Sequence, residues 1–205
     1  MSKLTTKRAH TRTDSSLSEK DKKLQELVLY IANRCQADET FGAVKLNKLL
    51  FYSDFLAYLN FGKAITGQEY FKLPKGPCPR RWLPVKAKMI ARRDMVMKNM
   101  QFHGFSQSRT VPLREPKLDM FTAEEIALVE KVITAHWSRT ASEISDESHG
   151  FLGWKLAADE ETIPYSVALV SRRPLAGKDW EIGRNLQSLA ESALKNYGEE
   201  CPSGG

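Results

Sequence analysis

The side chains best equipped for chemistry fall in one short stretch. Lys72, Lys75, Arg80, Arg81 and Trp82 surround a stiff turn, Lys75-Gly76-Pro77-Cys78-Pro79, with Pro74 ahead of it. Two ammonium groups, two guanidinium groups and an indole suit recognition better than bond making. Arginine donates charge-assisted pairs of hydrogen bonds to carboxylates and phosphates. Arginine and tryptophan are also enriched among the residues that dominate binding interfaces. Prolines on both sides restrict the turn, so little ordering entropy is lost when it binds. Lys45 and Lys48 add two cations in the first turn of a helix, where the dipole disfavours positive charge. A local rule broken there marks either a partner surface or two solvated lysines.

The remaining reactive groups have no partners at useful spacing. Asp54 lies inside an apolar helix and needs a partner, because an isolated buried charge is costly. Arg80, Arg81 and Lys75 are the cations that the turn can bring to it. His149 reads as a hydrogen-bonded core histidine; no spacing supports a nucleophile–base pair with Cys78. His10, His103 and His136 are scattered, and Cys35, Cys78 and Cys201 form no CxxC pair. Cys35, on an apolar helix face, is a small core residue. There is no phosphate-binding glycine loop. No catalytic set, metal site or cofactor is therefore expected.

These residues need a scaffold, and its centre is the run from Leu46 to Leu59. Leu46, Leu49, Leu50, Phe51, Tyr52, Phe55, Leu56, Tyr58 and Leu59 make a helix apolar on nearly all sides, expected from Ala43 to Phe61 with a left-handed cap at Gly62. Ser18 caps a preceding helix reaching about Gln36, with Asp21 in its first turn. A strand follows the central helix from Ile65 to Leu73, then a helix from Arg80 to Arg93. A hairpin spans Met95–Phe105 and Ser108–Arg114. Thr122-Ala123-Glu124-Glu125 and Thr140-Ala141-Ser142-Glu143 are capping boxes that open two more helices. Ile163-Pro164-Tyr165 breaks the chain, and a last helix runs from Asp179 to Tyr197. The fold class is mainly α with a small antiparallel β-sheet (α+β), a single compact domain around a central buried helix. The domain is expected over 18–197, between a disordered tail at 1–17 and a flexible one at 198–205.

A chain of 205 residues with formal net charge +6 suits one soluble domain. No apolar run approaches the roughly 20 residues that cross a bilayer. The N-terminus lacks the apolar core of a secretory signal, so a cytoplasmic location and no membrane partner are expected. Charge is uneven: from Lys72 to Lys98 nine basic residues stand against Asp94 alone, a local +8. The stretch from Asp119 to Glu147 is acidic. Such a chain suits nucleic acid or an acidic protein. A protein partner is favoured, because no nucleic-acid-binding signature accompanies the patch.

The ordered set of motifs carries a family resemblance. It runs Lys45-Leu46-x-Lys48-Leu49-Leu50-Phe51-Tyr52-x-Asp54, Phe61-Gly62-Lys63, a strand, Gly76-Pro77, a helix, a hairpin and a capping-box helix. Ser148-His149, Trp154 and Ile163-Pro164-Tyr165 complete it. Over roughly residues 22–170 the chain resembles the Panacea domain, also called the SocA-like antitoxin domain. The resemblance implies a mostly helical domain that serves in bacterial and prophage toxin–antitoxin pairs, with phage defence as a setting. It implies neutralisation of a cognate toxin, encoded by the adjacent gene, through direct protein binding. It supplies no catalytic residues; Gly76, Pro77, His149, Trp154 and Asp54 are read from the sequence itself as structural. Lys75 stands where the family often has an aromatic residue. Two rival readings remain: an adaptor that delivers a toxin to a protease, tethered by one of the tails, and a nucleic-acid-binding regulator using the 72–98 patch.

Overall fold

The computed structural model describes residues 17–102 and 104–170. Ser18 opens α1 (Glu19–Arg34), its hydroxyl accepting the Asp21 amide at 3.1 Å. Next comes α2 (Ala43–Phe61), with the expected bounds. Leu46, Leu49, Leu50, Phe51, Tyr52, Phe55 and Ala57 are all buried around its circumference. A helix apolar on every side must be covered on every side, and the rest of the fold does this. The helix stops at Gly62, whose φ of 70° is open to glycine and whose amide bonds the Tyr58 carbonyl at 2.9 Å.

After α2 the chain forms β1 (Tyr70–Phe71), β2 (Cys78–Pro79), α3 (Trp82–Ala91), β3 (Met95–Phe102) and β4 (Phe105–Pro112). A 3-10 turn (Leu118–Met120) leads to α4 (Ala123–Ala135), α5 (Ala141–His149), α6 (Leu152–Leu156), β5 (Thr162–Ile163) and α7 (Val167–Val170). Elements α1, α4, α5, α7, β2 and β4 all pack on α2. The fold is α+β around a central helix, as expected, but with two antiparallel sheets. One is a three-stranded sheet in the order β2-β1-β5; the other is the β3-β4 hairpin, in register from Met95↔Pro112 to Phe102↔Phe105. Both capping boxes are closed, with each Thr hydroxyl and each Glu carboxylate bonding the other's backbone amide.

The strand expected from Ile65 to Leu73 shrinks to Tyr70 and Phe71. Side chains take its earlier backbone donors: the Thr66 amide bonds Asp54 at 2.7 Å and the Gln68 amide bonds the Thr66 hydroxyl at 3.2 Å. Likewise α3 starts after Arg80, because the Arg80 amide extends the sheet to the Glu69 carbonyl at 2.8 Å. Leu17, assigned by composition to the N-terminal tail, is 6% exposed and joins the core. The rest of that tail, the helix expected from Asp179 to Tyr197 and the 198–205 tail lie outside the described residues.

The core beside α2 is aromatic. Phe51 and Phe55 pack with ring centroids 4.5 Å apart, and both meet Phe151 edge-on at 5.4 and 5.5 Å. Tyr165, from the Ile-Pro-Tyr break, lies 4.6 Å from Phe55, and its hydroxyl donates to the Gln68 carbonyl at 2.5 Å. Each such pair adds about 0.5–1.5 kcal/mol beyond the area it buries. Thus Tyr165 helps to fasten β5 and α7 to α2, beside the buried Ile163 and Ala168. No described helix is long and apolar enough to cross a membrane.

Candidate functional site

The turn at Gly76-Pro77 is built over a lysine. Lys48 is 1% exposed, and its ammonium donates to the Lys75 carbonyl, which the Ser145 hydroxyl also approaches at 3.4 Å. No carboxylate faces it among the described residues. Burial pushes its pKa down to about 8. Gly76 holds φ at 94°, and a Cβ there would strike Lys48 Nζ and Ser148 Oγ. Only glycine lets the chain pass so close to the ammonium. A cavity of about 350 Å³ separates the turn from the start of α2, lined by Val44, Asn47, Lys48, Leu73, Pro74 and Cys78.

Lys45 is equally buried but fully paired. Its ammonium bonds Asp38 at 2.6 Å, Thr40 at 2.7 Å and the Arg139 carbonyl at 3.0 Å, one acceptor for each of its three protons. Neither Lys45 nor Lys48 is solvated, and neither offers a charge to a partner. Both tie distant backbone to the first turns of α2. Trp82, read as a surface anchor, is 5% exposed and belongs to the core.

The two arginines are exposed but engaged. Arg80 stacks 4.7 Å from the Phe71 ring centroid and donates to the Glu160 carbonyl at 2.9 Å and to Thr162 at 3.2 Å. Arg81 pairs with Asp21 at 3.0 Å, in the first turn of α1. Lys72 sits 4.4 Å over the Trp154 ring and donates to the Ala157 carbonyl at 2.9 Å. Trp154 stacks on His149 at 4.0 Å and donates its indole N–H to the Leu73 carbonyl at 3.2 Å. His149 is therefore held by stacking; its Nε2 is buried without a hydrogen-bond partner among the described residues, contrary to the hydrogen-bonded histidine expected. Lys75 is exposed at the tip of the turn.

Asp54 meets no cation. It accepts from the Thr66 amide at 2.7 Å, from the Thr66 hydroxyl and from Tyr70 at 2.8 Å. The expected pairing with Arg80, Arg81 or Lys75 is replaced by neutral donors, because the arginines are committed to Phe71, Glu160 and Asp21. Burial raises the Asp54 pKa to about 6, against the pull of those hydrogen bonds. Burial also raises the Cys78 thiol to about 11, which holds it protonated. A protonated thiol is a poor nucleophile. No cluster of metal-ligating side chains occurs among the described residues.

The basic patch continues on α3, where the structure adds something that charge counting missed. Trp82, Val85 and Met89 face the core, while Leu83, Pro84, Ala87, Ile90 and Ala91 are exposed. Leu83 is 72% and Ile90 40% exposed. The signal was present in the sequence: apolar residues at i, i+1, i+4, i+7 and i+8 form a second helical stripe. It was hidden by reading the stretch only for its lysines and arginines.

The family model described as antitoxin SocA-like, Panacea domain, matches residues 46–155. That span runs from the start of α2 through the turn, α3, the hairpin and both capping-box helices into α6. No curated protein and no solved structure matches the chain.

Proposed function

Because this chain belongs to the SocA-like antitoxin, Panacea-domain family, we propose that it is the antitoxin of a bacterial or prophage toxin–antitoxin pair, and that it acts in the cytoplasm by binding its toxin directly. The observation that carries this reading is the family match over 46–155, which includes the whole turn and α3 surface. The site chemistry supports it. Lys45 and Asp54 are consumed by hydrogen bonds inside the fold, and Cys78 is held as a thiol. What the region offers to solvent is the tip of the turn at Pro74 and Lys75, several cations and an apolar helical stripe. Those groups hold a partner; they do not make or break bonds. The partner that this reading assigns is the product of the adjacent gene.

The test is co-expression. The neighbouring product alone should arrest growth, and growth should return when this chain is present. The two should co-purify, and the toxin should persist at undiminished level in rescued cells. Rescue accompanied by protease-dependent loss of the toxin would favour the adaptor reading. Arrest that continues with both proteins soluble would reject the antitoxin reading.

A further inference from the structure

We propose that the exposed stripe of α3 is the toxin-docking surface, and that it receives an amphipathic helix carrying acidic residues along both edges of an apolar face. This rests on the antitoxin reading above and adds the interface and the chemistry of the partner segment.

The first observation is geometric. At about 100° per residue, Leu83, Pro84, Ala87, Ile90 and Ala91 occupy a sector of about 120°. The sector points away from the core, since Trp82, Val85 and Met89 on the opposite side are buried. Scattered single apolar residues on a surface need no explanation, but a contiguous exposed stripe does. Leu83 and Ile90 stand two turns apart, about 10 Å along the axis, with Ala87 between them. Two large side chains flanking a small one make a notch that takes one large apolar side chain from a crossing helix. The small residues Ala87 and Ala91 allow the close axial approach of about 8 Å that such packing needs.

The second observation is electrostatic. Lys86 borders the stripe on one side and Lys88 on the other, and Arg92 and Arg93 follow at its C-terminal end. Lys86, Arg92 and Arg93 make no ion pair among the described residues. Several cations elsewhere are paired: Lys23 with Glu125, Arg34 with Glu130, Arg81 with Asp21 and Arg114 with Glu26. Lys86, Arg92 and Arg93 thus bring unpaired positive charge to the margin of the apolar stripe. A complementary surface is apolar in the middle and acidic at its margins. An anionic membrane also meets that description in part, but a helix of 10 residues containing Pro84 and two alanines buries too little apolar surface to anchor there.

The experiment compares three versions of the full chain with the neighbouring gene product as probe. Ala87→Arg fills the notch. Lys86→Glu with Arg92→Glu reverses the edge. Leu156→Ser removes an equally exposed apolar residue, 73% exposed on α6 away from the stripe. The first two should fold normally yet bind the probe at least about tenfold more weakly and lose growth rescue. Leu156→Ser should behave as wild type. Lysines substituted for the acidic edge residues of the probe should restore binding to the Lys86→Glu, Arg92→Glu chain. If wild type binds and rescues while both α3 variants match it, the docking surface is wrong and the antitoxin reading stands. If wild type neither binds nor rescues, both fall together. A melting temperature lowered by more than about 5 °C in Ala87→Arg would overturn the proposal, because the stripe would then be covered within the chain itself. So would a wild-type dimer that Ala87→Arg converts to monomer, or binding to anionic vesicles lost in the charge-reversed variant.

Discussion

Asp54 and Lys48 are a buried acid and a buried base on the same helix, and neither has an opposite charge beside it. Their pH dependences consequently run in opposite senses. Asp54 keeps its proton up to about pH 6 in the folded chain and releases it near 3.8 when unfolded. Between those values the native state binds more protons, so stability falls as pH rises from about 4 to about 6, by up to about 3 kcal/mol. Asp54→Asn should abolish that slope while costing about 1–3 kcal/mol in hydrogen bonds at low pH. Urea unfolding from pH 4 to 7 reads both effects; an unchanged slope would place the titration elsewhere. Lys48 is depressed to about 8 from 10.5, so the unfolded chain binds more protons between those values and stability rises with pH across that window. Lys48→Met removes an ammonium that has a carbonyl but no carboxylate, a replacement that is often neutral or stabilising. It should be at least as stable as wild type at pH 7 and should lack the gain from pH 8 to 10. A destabilised, still pH-dependent variant would show that the carbonyl contact outweighs desolvation. The sequence declared that Asp54 needed a partner, because burial of a carboxylate demands one. It could not say which, since the hydroxyls of Thr66 and Tyr70 serve as well as a guanidinium.

Elements fixed by local chemistry were legible, and those fixed by distant pairing were not. Ser18, Thr122, Thr140 and Gly62 each set a helix end through a bond within a few residues, and all four stand where the sequence placed them. The bounds of α2 follow from its apolar run and from the glycine that ends it. By contrast β1 exists only where β2 and β5 flank it, and β5 arrives from far along the chain. The alternation from Ile65 to Leu73 therefore overstated the strand, because capture of the Thr66 amide by Asp54 leaves no signature in periodicity. The first turn of α2 was misread for a related reason: a lysine at a helix start looks solvated until the segments that cover it are in place. The Gly-Pro turn tests this view of the elements. Gly62 and Gly76 both have positive φ, but nothing lies within 4 Å of a Cβ on Gly62, whereas one on Gly76 meets Lys48 and Ser148. Gly62→Ala should cost only the left-handed backbone penalty, about 1 kcal/mol. Gly76→Ala adds displacement of a buried ammonium and should cost at least about 2–3 kcal/mol. Denaturation midpoints of the two variants check the ordering, and equal losses would mean that the turn is free to move away from Lys48.

At the scale of the molecule, the two charged surfaces suggested by the sequence do not survive folding equally. Much of the acidic stretch is spent inside the fold: Glu125 on Lys23, Glu130 on Arg34 and Tyr30, Glu147 on Arg139. The basic side is engaged around the turn, by Asp21, the Glu160 carbonyl and the rings of Phe71 and Trp154, whereas Lys86, Arg92 and Arg93 make no ion pair among the described residues. Net charge alone had left nucleic acid and an acidic protein as competing partners. The proposed α3 interface favours the protein, because Lys86, Arg92 and Arg93 border an apolar stripe. A protein that neutralises six to ten phosphates loses about 10³–10⁵ in affinity between about 50 and 200 mM salt. A docked helix that buries Leu83, Ala87 and Ile90 depends chiefly on apolar contact, with its rim charges acting on the association rate. The complex with the neighbouring gene product should therefore weaken by less than about tenfold over that salt range, with the change falling mainly in the on-rate. Surface plasmon resonance at several salt concentrations separates the cases. A slope steep enough to abolish the complex by about 200 mM, or tighter binding to duplex DNA than to the protein probe at that salt, would return the function to the basic patch as an electrostatic surface.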